Sequence, residues 1–386
     1  MPIRERPRFV VLRIFGLSFA VTVISLIIAA LYGGPEAVVL VAILSILEIS
    51  LSFDNAVINA TVLRRMSEFW QKIFLTIGIV IAVFGMRLVF PLVIVWLASG
   101  LGPVAAIDLA LNPPADGAAY FPDGSPSYET LLTDAHPQIA AFGGMFLLML
   151  FLGFILEERE ITWLSWLEKP LARIGKLDQL AVVVAGVLLL ITATFIAPAD
   201  KVATVMTAGV LGMISYIAVN GLGELFNTPE EGEVGEGTRG GPTQLAKATG
   251  KAGFFLFLYL EVLDASFSFD GVIGAFAITS DPIIIALGLG FVGAMFVRSI
   301  TVFLVRKGTL SEYVYLEHGA HWAIGALAAI LLVSIGFHVN EMVTGLVGVA
   351  LIGAAFISSI MRNRKAAAIA STDDVDVDEQ KPVSVG

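Results

Sequence analysis

EISLSFDN, residues 48–55, lies inside the apolar run EAVVLVAILSILEISLSFDNAVINA, residues 36–60. That run is long enough to cross the roughly 30 Å of hydrocarbon in a bilayer. Glu48 and Asp54 therefore fall at membrane depth. A carboxylate near the centre of a spanning helix costs roughly 2.5–3.5 kcal/mol on insertion scales. A chain that accepts this cost twice in one span is using the acids.

The rest of the composition agrees with a membrane reading. Hydrophobic residues make up 57% of the 386 and charged residues 15%, against roughly 45–50% apolar content in soluble domains. There is no cysteine, so disulfides, thiolate metal sites and cysteine redox chemistry are excluded. The net charge of −10 argues against nucleic acid. The basic then apolar start, MPIRERPRFVVLRIFG, reads as an uncleaved first span.

The pattern predicts an all-α polytopic protein of about ten spans, at 9–32, 36–61, 73–98, 138–156, 179–197, 202–223, 252–278, 282–305, 321–338 and 342–361. Basic residues test the orientation. One side holds Arg4, Arg6, Arg8, Arg64, Arg65, Lys72, Arg159, Lys169, Arg173, Lys176, Arg239, Lys247, Lys251, Arg306, Lys307, Arg362, Arg364 and Lys365; the other holds Lys201. By the positive-inside rule both termini are cytoplasmic. The expected organisation is an N-terminal span (1–35), a first repeat of spans two to four (36–156) with an outer loop at 99–137, an interfacial amphipathic helix (157–178), and two linking spans (179–226). A cytoplasmic linker (227–250), a second repeat of spans seven to ten (251–362) and a disordered cytoplasmic tail (363–386) follow.

The opening motif has an echo in DASFSFDG, residues 264–271. Glu48 matches Asp264, Ser50 matches Ser266, Ser52 matches Ser268 and Asp54 matches Asp270. An arginine follows in the next span of each copy, Arg87 and Arg298. Five spans separate the copies, so they cross in opposite directions: an inverted-topology repeat, whose substrate site lies where the halves meet. Glu48, Ser52 and Asn55 share one helical face, while Ser50 and Asp54 form a second stripe. Either the helix breaks near Ser-Phe-Asp or the stripes have separate roles. Glu261 adds an acid found in the second copy alone.

Carboxylate, hydroxyl and amide oxygens suit hard divalent ions: Mn²⁺, Mg²⁺ or Ca²⁺. Glu48, Asp54, Asn55, Asp264 and Asp270 are the candidate metal ligands, with Ser50, Ser52, Ser266, Ser268, Glu261, Arg87 and Arg298 in support. Serines alone would read as interhelical glue worth about 1 kcal/mol. Repeated acids are too costly for that role. Glu317, His318 and His321 are weaker candidates for a cytoplasmic gate, and Glu157, Glu158 and Glu160 read as solvated. No nucleophile–base constellation accompanies the acids, so no enzyme is expected, and no G-x-x-x-x-G-K-[ST] phosphate loop is present.

EISLSFDNAVI, DASFSFDGVIGAF, FVRSITVF and YLEHGAHWAIGALAAILLVSIGF together resemble the TerC family of integral membrane proteins over residues 36–362. The chain length and the EERE…W loop resemble its branch of members with a domain of unknown function. The family is named for tellurium resistance, and its better-understood members are implicated in Mn²⁺ efflux. The resemblance implies metal ligation by Asp54, Asn55 and Asp270, with Glu48 and Asp264 close by. The second copy departs from the family's FAVDSIPAIF-like pattern, and Gly271 supplies no side chain opposite Asn55. The expected function is an inner-membrane divalent cation exporter, Mn²⁺ first and Ca²⁺ or Mg²⁺ after it, exchanging metal for protons by alternating access. The ion is substrate, and no organic cofactor is expected. The alternative is a TerC-type membrane partner that metalates secreted proteins or supports tellurium resistance without bulk transport. The partners are then the ion and the bilayer, with a second copy or the secretion machinery as a further contact.

Overall fold

Gly33 and Gly34 interrupt what is otherwise one long apolar helix, with backbone at φ −136°, ψ 17° and φ 68°, ψ −155°. Only glycine adopts the second conformation without strain, and Pro35 then opens a fresh helical run. The computed structural model describes residues 7–51, 53–81, 85, 89–114, 118–177, 179–225, 250–276, 278–279, 281–306 and 313–379. The regular secondary structure among these residues is helical, apart from one isolated β-bridge between Tyr120 and Pro126.

In chain order the helices are α1 (Pro7–Leu51), α2 (Phe53–Leu63), α3 (Glu68–Ile73), α4 (Phe90–Ser99), α5 (Pro103–Leu111), α6 (Tyr128–Asp134), α7 (His136–Ile155), α8 (Ser165–Ile174) and α9 (Leu180–Ile191). They continue with α10 (Val202–Leu225), α11 (Gly250–Phe276), α12 (Pro282–Ile285), α13 (Ala294–Arg306), α14 (Leu316–Ser334) and α15 (Glu341–Glu379). Wider, π-helical turns occupy Phe74–Gly78, Thr192–Ile196 and Ala286–Gly293.

Six helices among the described residues are long and apolar enough to cross a membrane: Ile14–Ile46, His136–Ile155, Val202–Gly221, Pro282–Val305, Leu316–Ser334 and Val343–Lys365. The sequence predicts about ten. The difference has physical sources. The first two expected spans merge in α1 across the Gly33–Gly34 break. The fifth is a shorter apolar helix, Leu180–Ile196. The seventh lies on α11, whose acids lower its hydropathy. Part of the third, 82–84 and 86–88, lies outside the described residues. The exposed surface fits a lipid environment: Leu31 is 84% exposed, Phe195 78% and Leu346 65%, where a water-facing helix would carry charge. α15 runs on to Glu379, through the alanine-rich stretch after Lys365, which the sequence assigned to the tail; alanine is the strongest helix former.

Two apolar clusters form the interior. One gathers Val57, Ile58, Leu63, Phe146, Leu260 and Leu263. The other gathers Val41, Leu44, Val95, Leu132, Val272, Ala275 and Leu289. Along residues 41–63 the chain passes from the second cluster to the first. Along α11 it passes from the first to the second. Both copies of the acid motif sit in the interval between the clusters, and the two helices run through it in opposite senses.

Segment 99–137, expected as an outer loop, carries helices among its described residues. It holds α5 and α6, with Ser127 Oγ capping α6 by accepting from Thr130 N at 3.1 Å. At its tip Asp123 accepts from the Ser125 N–H and hydroxyl, which holds its carboxyl below the usual range. The close approach of α10 to α7 depends on Gly212: a Cβ there would lie 2.3 Å from the Phe142 carbonyl oxygen. Gly212→Ala is expected to lower the thermal stability of the detergent-solubilised protein by about 1–3 kcal/mol. Gly186→Ala, which meets open space, should leave it unchanged; equal melting temperatures for the two variants would contradict this packing.

Candidate functional site

The second motif copy lies on an unbroken helix, since α11 runs straight through 264–271. Asp264 and Ser266 therefore lie on different faces of it. Asp264 is 4% exposed and faces α2. There it meets Asn55, which is 1% exposed: Asn55 Nδ2 donates to Asp264 Oδ1 at 2.6 Å. Residues 209 positions apart, one from each copy, thus share a buried hydrogen bond.

Glu48 is 2% exposed and packs against the π-helical turn of the other half. Gly293 makes this approach possible, because a Cβ there would lie 2.0 Å from Glu48 Cγ. Glu261, one helical turn before Asp264, is 6% exposed. Neither of its carboxylate oxygens has a hydrogen-bond partner among the described residues. It packs in turn against the π-helical turn of the first half, where a Cβ on Gly78 would lie 2.7 Å from Oε1. Arg298 reaches the same turn, with its Nε donating to the Leu75 carbonyl at 3.1 Å. π-helical turns widen a helix locally and recur at functional sites. Here the Phe74–Gly78 and Ala286–Gly293 turns each receive an acid from a helix distant in sequence.

The remaining expected residues divide as follows. Ser266 is buried and donates to the Val262 carbonyl at 2.9 Å within its own helix, which is a packing role. Ser52 and Arg87 lie outside the described residues, as do the side chains of Ser50, Asp54, Ser268 and Asp270. Among the described residues no group of three or more acids or histidines could hold a metal by itself. Any oxygen site built from them must also draw on amides, carbonyls or water. One buried amide escaped the sequence reading. Asn59 is 2% exposed, and its Oδ1 has no partner among the described residues. The available signal was its i+4 spacing from Asn55, which places it on the same face of α2.

A second polar centre lies at the α7–α14 end of the bundle. Glu168 of α8 is 4% exposed and accepts from Trp163 N at 3.0 Å, Leu164 N at 3.3 Å and Trp322 Nε1 at 3.1 Å. His318 Nδ1 lies 3.0 Å from its Oε2. His321 stacks on Phe154 at 3.6 Å, and the Arg159 guanidinium lies 4.0 Å from the same ring. Phe154, Glu157 and Arg159 border two cavities of about 430 and 400 Å³, the first lined also by His318 and the second by His321 and Tyr259. Glu317 pairs with Arg65 at 3.6 Å, Glu157 with Arg159 at 2.6 Å and Glu158 with Lys176 at 2.9 Å.

Two outcomes follow from these contacts. Gly293→Ala should destabilise the protein by about 1–3 kcal/mol through the Glu48 clash, while Gly290→Ala, with open space around it, should be neutral in the same melting experiment. Glu168→Ala removes the acceptor that ties α8 to α14. Limited trypsinolysis should then cut after Arg173 markedly faster than in the wild type, Lys169 being protected by the following Pro170; an unchanged digestion rate would mean that other contacts hold α8.

No curated protein and no solved structure matches this sequence. One family model does, that of the proteins of unknown function called DUF475, over residues 53–366. The match takes in Asn55, Asn59, Gly78, Glu261, Asp264 and Gly293, and with most of its length inside that model the chain belongs to the DUF475 family.

Proposed function

We propose that this protein exports a divalent metal cation, Mn²⁺ by preference, across the inner membrane by alternating access in exchange for protons. The observation that carries the reading is the buried contact between Asn55 and Asp264, one residue from each copy of the motif. Its surroundings add oxygen and no sulfur: Glu48 and Glu261 are buried on neighbouring helices, and the chain has no cysteine. Hard oxygen donors favour Mn²⁺, Mg²⁺ and Ca²⁺ over softer ions. Acids that release a metal at membrane depth need a replacement charge, and a proton supplies it.

The opposite order of the two apolar clusters along residues 41–63 and along α11 supports the inverted-topology repeat. The Gly33–Gly34 break and the long acid-bearing α11 support more crossings than the six helices that qualify on length and apolarity. The near one-sided distribution of Lys and Arg supports cytoplasmic termini. The likeness of both motif copies to the TerC family supports metal efflux as the task.

The test is cellular metal content, measured by mass spectrometry in a Mn²⁺-sensitive bacterial host. Empty vector, wild type, Asp264→Asn and the Asp54→Asn, Asp270→Asn double variant are compared at equal membrane expression. Wild type should lower cellular Mn²⁺, and both variants should return it to the vector level. Equal metal content in all four strains would remove export from consideration.

A further inference from the structure

Three buried oxygen atoms at the interface of the two halves have no hydrogen-bond partner among the described residues: Oε1 and Oε2 of Glu261 and Oδ1 of Asn59. Buried polar atoms are nearly always partnered, and an orphaned one calls for an explanation such as a role in binding an ion. These three lie on the two helices already joined by Asn55 and Asp264. The two helices run through the motif interval in opposite senses. A step of one turn forward on α2, from Asn55 to Asn59, therefore corresponds to one turn backward on α11, from Asp264 to the level of Glu261. Asn59 and Glu261 fall on the same rung.

We infer that Asn59 and Glu261 form a second divalent-cation rung, about one helical turn from the Asn55–Asp264 pair, and that Gly78 keeps the space the Glu261 carboxylate needs to serve it. This rests on the cation reading above and adds a site to it. The donor chemistry is a carboxylate with two open oxygens and an amide oxygen, completed by water, which suits a hard divalent ion. A simple packing role does not explain the arrangement. A buried carboxylate whose oxygens meet neither donor nor cation costs free energy, and leucine would fill much the same space without that cost. Gly78 is a positioning residue: its Cβ would lie 2.7 Å from Oε1, so alanine there pushes the carboxylate off its place. The first-half π-helical turn that contains Gly78 is also fixed by Arg298 through the Leu75 carbonyl, so the turn cannot easily yield.

The experiment is Mn²⁺ binding to the purified full-length protein in detergent, read as the rise in melting temperature against MnCl₂ concentration. The variants are Glu261→Gln, Asn59→Ala, Gly78→Ala, Gly290→Ala and the double variant Gly78→Ala, Glu261→Asp. Glu261→Gln, Asn59→Ala and Gly78→Ala should each weaken apparent Mn²⁺ affinity about tenfold or more. Gly290→Ala should match the wild type. The double variant should recover part of the affinity lost by Gly78→Ala, because aspartate withdraws the carboxylate from the added methyl group; a purely structural glycine would give recovered melting temperature without recovered affinity. Glu261→Gln should also melt, without metal, no lower than the wild type, which separates lost binding from lost folding. Wild-type affinity in Glu261→Gln and Asn59→Ala overturns the second rung and leaves the cation reading standing. No Mn²⁺ response in the wild type overturns both.

Discussion

An apolar interior sets the terms on which this chain folds. A carboxylate buried in it has lost water, and it is tolerated only beside a donor or a cation, or protonated. Asp264 meets that condition partly through Asn55, a residue from a segment more than two hundred positions away. The contact sets the level at which α2 and α11 meet. The apolar clusters on either side then bury Leu263 and Ile58 in one direction and Val272 and Leu44 in the other. The polar interval and the two cores are thus parts of a single arrangement: burial of apolar surface on both flanks holds the helices close enough for the hydrogen bond to exist.

The acids were legible in the sequence because they break a composition rule. Glu48 and Asp264 stand out against long apolar runs, their repetition in a matched pattern marks them as a pair, and both are buried. Asn55 was legible through its position beside Asp54 and through the family likeness. Asn59 was not, since an amide in a spanning helix reads as ordinary interhelical glue, and only burial without a partner distinguishes it. Gly78 and Gly293 were illegible for a stronger reason. Their significance lies in what a Cβ would strike, and the struck side chains, Glu261 and Glu48, are contributed by the other half of the chain. Small residues fill every span of this protein, so spacing alone cannot pick out these two.

The segment 157–178 shows the same limit from another side. Its amphipathic pattern and exposed Trp166, 76% exposed, are consistent with a helix lying at an interface. The pattern does not reveal that the buried face carries Glu168, satisfied by two backbone N–H groups and the Trp322 indole, with the His318 ring 3.0 Å away. A carboxylate with that many partners behaves as a fastening. It converts a surface helix into part of the α7–α14 end, with Phe154 standing between the two cavities. Pattern analysis sees faces, and it is blind to a charge whose partners come from a helix some 150 residues later.

The reversed order of the two cores along the motif helices has a mechanical consequence. Close-packed apolar cores are stiff, because any shear opens voids or forces overlap. A layer held by a few hydrogen bonds is not, since such bonds tolerate bending and can be exchanged for bonds to an ion or to water at little cost. This protein stacks a compliant polar sheet between two hard apolar blocks, with the same pair of helices threading all three in opposite directions. Rocking of one block against the other would strain the middle layer first, with neither core repacked.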